Sequence, residues 1–168
     1  MTNIRRSRGY NFEYSIVNYF NANGWHARRL GGSSTGLPDV VATNNHQSIL
    51  YSIEAKSTAS NFCYVPNDQL LRCQDILEMF APYRFKAIVL AFKFTRKGKT
   101  PKGIVYNRAL RYYYHTLVYI ENIENIANIR CDYADGRLTI DRCDKSVHVS
   151  AKYETWKSLQ ELEQCLFV

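Results

Sequence analysis

The sequence contains no apolar run approaching the ~18 residues that a membrane-spanning helix needs, and its basic N-terminus lacks the apolar stretch of a secretory signal peptide. We therefore expect a cytoplasmic protein with no membrane partner. None of the five cysteines belongs to a C-x-x-C pair, which argues against a disulfide framework and against a zinc site. Repeats, low-complexity tracts and linkers rich in proline and glycine are also missing from the sequence. The composition therefore marks no linker between independent domains.

Acidic residues are the scarcer charged class, with 15 Asp and Glu against 22 Lys and Arg in 168 residues, for a net charge of +7. The excess is confined to the first part of the chain. Residues 1–99 hold 13 basic and 6 acidic residues, whereas residues 100–168 hold 9 of each. Such a surface suits a polyanion, most commonly nucleic acid, and would place the protein at the nucleoid. Charge alone leaves open a basic protein without a polyanionic partner.

Hydrophobic periodicity predicts helices interspersed with strands, and hence an α/β fold with a mixed sheet flanked by helices. The strand over 49–56 is the clearest, because its side chains alternate between two faces. Asp135-Gly136 predicts a hairpin turn, residues 57–65 an irregular or extended connection, and residues 95–103 a basic turn. The predicted helices span residues 10–23, about 66–81 and 154–166; the predicted strands span 25–30, 38–43, 49–56, 86–94, 104–107 and 146–153, and residues 112–120 fit a strand or a helix.

Two carboxylates and an ammonium group are predicted to meet where two neighbouring strands pair. Asp39 follows Pro38 at the start of one strand, and Glu54 and Lys56 share a face near the end of the next. Mg²⁺ is usually held by one or two carboxylates with substrate phosphate and water, and the main-chain carbonyl of Ala55 offers another ligand. The pattern therefore predicts a Mg²⁺ site for phosphodiester hydrolysis, in which Lys56 orients water and neutralises developing charge.

The same residues have an ordinary interpretation. A Glu-x-Lys run on a strand is often a solvated edge, and an aspartate after a proline is often part of a turn. Their placement on two predicted strands with apolar flanks favours the functional interpretation.

These residues match the PD-(D/E)xK nuclease motif, with Pro38-Asp39 and the EAK run at 54–56, and their surroundings resemble the archaeal-type Holliday-junction resolvases. The resemblance covers about residues 5–110 and implies a restriction-endonuclease-like fold. It implies a nuclease core over 1–110 and an α/β C-terminal extension over 111–168 packed on that core. The runs that carry the resemblance are RRSRGYNFE with Gly9 and Glu13 at matching places, GWHARRLGGSSTGLPDVVA, ILYSIEAKS and YVPNDQ.

The resemblance implies a homodimeric, Mg²⁺-dependent endonuclease, with Mn²⁺ as a substitute, that cuts four-way DNA junctions by paired, symmetric incisions. Two symmetric cuts need two active sites related by a two-fold axis. The residues implied to bind metal are Asp39, Glu54, Ala55 through its main-chain carbonyl, and Glu13. The implied catalytic residues are Glu13, Ser33, Asp39, Glu54, Lys56 and Gln69, and the implied DNA contacts are Arg5, Arg6, Arg8, Arg29 and Ser34.

Without the resemblance, Glu13 is interpreted as a solvated helix carboxylate, Ser33 as a loop residue and Gln69 as an ordinary residue at a helix start. The Tyr-rich segment after residue 111 has no match in the family, and its tyrosines fit a core or an interface better than stacking on bases. Three further functions stay open: another PD-(D/E)xK nuclease acting on duplex, flap or nicked DNA, a non-catalytic DNA-binding protein on the same fold, and an RNA-processing nuclease.

Overall fold

The computed structural model describes residues 4–31, 36–117, 122–143 and 157–164, with residues 4–8 and 164 described by their backbone alone. The helices are α1 (Ile4–Ala22), α2 (Asn67–Met79) and α3 (Leu159–Gln164), with one 3-10 turn at Ile123–Asn125. The strands are β1 (His26–Arg29), β2 (Val40–Asn44), β3 (Ile49–Thr58), β4 (Phe62–Pro66), β5 (Phe85–Phe94), β6 (Lys97–Lys99), β7 (Val105–Asn107), β8 (Arg111–Leu117), β9 (Ile126–Asp132) and β10 (Leu138–Arg142). Across these described ranges, no helix is long and apolar enough to span a membrane.

Helix α1 forms because apolar side chains recur on one of its faces. Phe12, Ile16 and Phe20 are spaced by four residues, and all three are buried against the main sheet. The helix ends at Gly24, whose φ of 82° lies in the left-handed region that glycine adopts without a steric penalty. There the backbone N–H of Trp25 donates to the carbonyl of Phe20 (3.0 Å), which turns the chain towards β1.

The main sheet has five strands in the order β1-β2-β3-β5-β8. Its centre is the parallel pair of β3 and β5, which runs from Ile49 opposite Phe85 to Thr58 opposite Phe94. The other three pairings are antiparallel, and α2 lies in the crossover that a parallel pair requires. The predicted mixed sheet flanked by helices is confirmed.

Two hydrophobic layers cover the two faces of this sheet. On one face, α1 packs on the odd-numbered residues of β3, among them Tyr51 and Ile53. On the other face, α2 and a second sheet of order β10-β9-β4 pack on Leu90 and Phe92 of β5. The even-numbered residues of β3 therefore face α2. This two-sided burial confirms the alternation predicted for β3.

Two segments contain strands that the sequence-based expectations did not assign. The connection predicted to be irregular or extended contains β4, whose residue Cys63 lies opposite Cys131 of β9. No local pattern announces this pairing, because the partner strand lies more than sixty residues further along the chain. The predicted basic turn contains β6, which pairs with β7 in a two-stranded ribbon. The strand predicted over 146–153 lies outside the described residues.

The segment after residue 110 is tied into the core by strand pairing. Strand β8 completes the main sheet beside β5, and β9 joins the second sheet beside β4. Tyr113 and Tyr114 of β8 are buried, as a core interpretation of these tyrosines predicts. Helix α3 adds Leu162 to the layer around α1, where the Tyr19 hydroxyl donates to the Glu163 carboxylate (2.7 Å). The division of the chain at residue 110 stays a prediction.

Candidate active site

Asp39 directly precedes strand β2 and makes the last contact between β2 and β3 at this end of the sheet. The last regular pair at this end joins Val40 to Ile53. Beyond it, the Asp39 carboxylate accepts a hydrogen bond from the backbone N–H of Ala55 (2.8 Å) in place of a main-chain acceptor. The N–H and C=O of one residue point to the same side of an extended strand. The carbonyl of Ala55 therefore lies on the edge of β3 that Asp39 occupies.

Glu54 and Lys56 lie side by side on the face of β3 that looks towards α2. Their side chains form an ion pair, as the period of two in a strand predicts. The Glu54 side chain is 4% exposed and that of Lys56 is 23% exposed. The carboxylate is thus deeply placed, while the ammonium group reaches the surface. A phosphate arriving from solvent meets Lys56 before it meets Glu54.

The carboxyl groups of Asp39 and Glu54 meet at this end of the sheet. Burial raises the pKa of Glu54 to about 7, the Lys56 ammonium acts against that rise, and the charge of Asp39 adds to it. A hydrogen bond between the two carboxyl groups also raises the pKa of Glu54. Two carboxylates in one poorly solvated place repel each other unless a proton or a cation lies between them.

This donor set fits a divalent metal of the Mg²⁺ type. Such ions take hard oxygen ligands and are commonly held by one or two carboxylates plus substrate phosphate. Asp39, Glu54 and the Ala55 carbonyl provide three oxygens of this kind. Within the described ranges, no group of three or more His, Cys, Asp or Glu side chains gathers around one point. Mg²⁺ commonly completes its ligand set with water and substrate phosphate.

Glu13 borders the carboxylate pair without joining it. Its carboxylate forms an ion pair with Arg29 of β1, and its side chain is only 11% exposed. Burial raises the pKa of Glu13, the hydrogen bond from Arg29 lowers it, and the nearby charge of Asp39 raises it. The predicted metal-ligand role of Glu13 stays a prediction, while the interpretation as a solvated carboxylate is wrong.

Arg29, predicted to contact DNA, is engaged with helix α1. Besides its ion pair with Glu13, its guanidinium lies 4.9 Å from the centre of the Tyr10 ring. Tyr10 is not among the predicted site residues. Its position three residues before Glu13, on the same side of a helix, is the signal that would have identified it.

Gln69 lies in the first turn of α2, near the face that packs on β3. One turn further along the helix, burial raises the pKa of the Cys73 thiol, the charge of Glu54 raises it as well, and Ser52 of β3 lowers it. Residues four apart share a helix face, so Gln69 is directed towards the same strand. Its Oε1 atom is buried and has no hydrogen-bond partner among the residues that the structure describes. A buried oxygen of this kind can accept a hydrogen bond from a water molecule or from the Lys56 ammonium.

For the remaining predicted site residues, the structure describes at most the backbone. Ser33 and Ser34 lie outside the described residues. Arg5, Arg6 and Arg8 belong to the first turns of α1, and only the backbone there is described. Their roles stay predictions.

Comparisons with known proteins bear directly on this arrangement. The family model of archaeal Holliday junction resolvase (Hjc) matches residues 4–123. A "Crossover junction endodeoxyribonuclease" of Sulfolobus islandicus rod-shaped virus 1 is 31% identical over 115 residues, which cover 61% of this chain and 93% of that relative. "Crossover junction endodeoxyribonuclease Hje" of Saccharolobus solfataricus is 33% identical over 93 residues, 54% of this chain and 67% of that relative.

Among solved structures, the Holliday junction resolvase Hjc of Archaeoglobus fulgidus matches with a TM-score of 0.44 and 19% identity, covering 74% of this chain and 84% of that one. The family match crosses the motif residues Asp39, Glu54 and Lys56 and covers well over half of the chain. Nucleases of this family generally need a divalent metal. The predicted family and the endonuclease class are confirmed. The chain belongs to the archaeal Holliday junction resolvase family.

Proposed function

We propose that this protein is a metal-dependent endonuclease that hydrolyses phosphodiesters at four-way DNA junctions by paired, symmetric incisions. The observation that carries the proposal is the meeting of the Asp39 and Glu54 carboxyl groups beside the Lys56 ammonium, in a chain of this family. Two neighbouring carboxyl groups, one of them buried, repel each other when both are ionised, and a bound divalent cation would offset that repulsion.

The chemistry divides between the bound metal and the side chains around it. When bound, the metal polarises the phosphodiester and lowers the pKa of its water. Asp39, Glu54 and the Ala55 carbonyl would hold it, and Asp39 is itself fixed by the Ala55 N–H. Lys56 would bind a non-bridging oxygen of the scissile phosphate and offset the negative charge that grows there during attack. Gln69 Oε1 would orient the water or the Lys56 ammonium.

We infer that the active unit is a homodimer. Two cuts at symmetric positions of a junction need two active sites related by a two-fold axis, and a C2 dimer supplies them. The metal that the donors hold would be Mg²⁺, with Mn²⁺ accepted as well, because both prefer oxygen ligands. An enzyme of branched DNA would work at the nucleoid.

The experiment is cleavage of a labelled, immobile four-way junction in Mg²⁺, beside the same oligonucleotides as a linear duplex. We expect paired symmetric cuts in the junction alone and no cutting by Asp39→Ala. Equal cutting of the duplex would replace the junction endonuclease with a general PD-(D/E)xK nuclease. Tight junction binding without cutting, in either Mg²⁺ or Mn²⁺, would replace it with a DNA-binding protein.

A further inference from the structure

The ribbon formed by β6 and β7, residues 95–108, carries a concentration of positive charge beside the active site. The sequence has no acidic residue anywhere in positions 79–120. The basic residues of the ribbon are Arg96, Lys97, Lys99, Lys102 and Arg108. All but Arg108 are exposed. The activity proposed above does not use this element.

The ribbon is attached to the segment that directly follows the catalytic strand. The backbone N–H of Lys99 donates to the carbonyl of Ala59 (2.7 Å). The Arg108 guanidinium donates to the carbonyl of Ser60 (3.0 Å) and to the side-chain oxygen of Asn61 (2.9 Å). These bonds hold the ribbon at a fixed position relative to β3, which ends at Thr58.

One face of the ribbon is used for packing, and the other is open. Tyr106 lies over Gly98 and donates its hydroxyl hydrogen to Asn61 (2.6 Å). A Cβ atom on Gly98 would lie 2.4 Å from the Tyr106 ring, so this packing needs glycine at that position. Because side chains alternate along a strand, Lys97 and Lys99 project from the opposite face. Neither lysine is ion-paired to a carboxylate in the described part of the chain.

A groove of about 360 Å³ lies between this ribbon, helix α1 and the end of β3. Ser57, the residue after Lys56, lies on its wall, as does Asn11, two residues before Glu13. Arg96 and Lys97 form the side of the groove that belongs to the ribbon. A polyanion lying in this groove would contact these two cations one residue beyond Lys56 along β3.

We propose that the β6–β7 ribbon binds the phosphate backbone of the duplex arm whose strand enters the active site. This proposal rests on the proposed function, because it assumes a DNA substrate. From Lys56 to Ala59 the chain advances three residues, or ~10 Å. Duplex DNA rises ~3.4 Å per base pair, so Lys97 and Lys99 would meet phosphates roughly three base pairs from the scissile bond. Such contacts position the arm and read no sequence.

The test compares two double variants that each remove two positive charges. Lys97→Gln/Lys99→Gln removes them from the ribbon, and Arg84→Gln/Lys86→Gln removes them from the opposite end of β5. Binding of a labelled immobile junction is measured without divalent metal over a range of salt concentrations. The ribbon variant should bind roughly 10- to 50-fold more weakly at ~0.1 M salt, with a slope of log K against log salt reduced by about 1.8. The control should change by less than about threefold. A ribbon variant that binds as well as the control would overturn the proposal.

A second measurement places the contact on the DNA. Shortening one junction arm to about two base pairs removes the phosphates that the ribbon would reach, at the spacing given above. The wild type should bind the shortened junction more weakly than the full-length junction, whereas the ribbon variant should bind the two junctions almost equally. Equal losses in both proteins would contradict a contact at this distance.

The two proposals fail in different ways. Wild-type protein that binds through the ribbon and never cuts contradicts the nuclease function alone. Paired cutting by a protein whose binding ignores the ribbon substitutions contradicts the ribbon proposal alone.

Discussion

Arg29 and Glu13 form an ion pair that joins the edge strand β1 to helix α1 at the border of the carboxylate site. The Tyr10 ring covers the other side of the guanidinium. The Glu13 side chain is nearly buried, so its charge depends on this one arginine. The pair thus fixes the end of β1 from which the chain enters the loop leading to Asp39.

Replacing one partner of this pair should therefore lower the free energy of unfolding more than replacing both partners. Arg29→Gln leaves a buried carboxylate without its cation, and we expect a loss of about 1–3 kcal/mol in the free energy of unfolding. Glu13→Gln/Arg29→Gln should recover part of that loss. Urea denaturation of the two variants and the wild type measures both quantities. A double variant no more stable than Arg29→Gln would show that the pair is not coupled.

Glu54 should make the metal-free protein less stable as the pH rises. Its pKa is about 7 in the folded protein against 4.5 ordinarily, so the folded state holds a proton that the unfolded state releases. The resulting stabilisation is complete below pH ~4.5, falls as the pH rises towards 7, and amounts to up to about 3 kcal/mol. Glu54→Gln carries no ionisable group there, so it should lose this part of the pH dependence. Chemical denaturation in EDTA at pH 5 and pH 8 tests the difference, and parallel pH profiles for variant and wild type would contradict it.

Mg²⁺ should stabilise the protein most where Glu54 is ionised. A cation between Asp39 and Glu54 replaces the proton, so binding competes with protonation and weakens as the pH falls below about 7. At a Mg²⁺ concentration 100 times the Kd, stabilisation should be about 2.7 kcal/mol. Thermal unfolding at pH 8 and pH 6, with Asp39→Asn as control, measures this effect. An equal shift in the control would place the ion elsewhere.

Gln69 should show opposite effects on stability and activity. Its buried Oε1 lacks a hydrogen bond among the described residues, and such an atom costs about 1–3 kcal/mol. Gln69→Leu should therefore raise the unfolding free energy while slowing junction cleavage by about tenfold or more, because the water or Lys56 loses an acceptor. Gln69→Glu keeps an acceptor oxygen on a side chain of the same length, so it serves as the control variant. A leucine variant with full activity would exclude the proposed role.

The predictable part of the site follows from local periodicity. The alternation along β3 puts Glu54 beside Lys56, and the hairpin with β2 brings Asp39 to the same end. Both relationships involve residues fewer than twenty positions apart. The family resemblance added Glu13 and Gln69, for which no spacing rule gave a position.

The unpredicted part depends on contacts between distant segments. Strand β4 exists because β9 pairs with it, and the packing of Tyr10 on Arg29 requires α1 and β1 to meet at a particular angle. Strand β6 falls within the predicted basic turn because it is three residues long and its register with β7 is set by Tyr106 over Gly98, whereas β7 lies within the predicted strand 104–107. Short strands held by a single side chain leave almost no periodic signal.

The pairing of β4 with β9 also bears on when this protein becomes able to act during synthesis. Strand β4 and helix α2 follow the catalytic strand immediately, yet their packing partners in β8 and β9 emerge from the ribosome some fifty to seventy residues later. Contacts of such long sequence separation form slowly and late. A nascent chain that has emerged only as far as β5 carries Asp39, Glu54 and Lys56 without β8 and β9, so the hydrophobic layer over that face of the sheet becomes complete only after β9 has emerged.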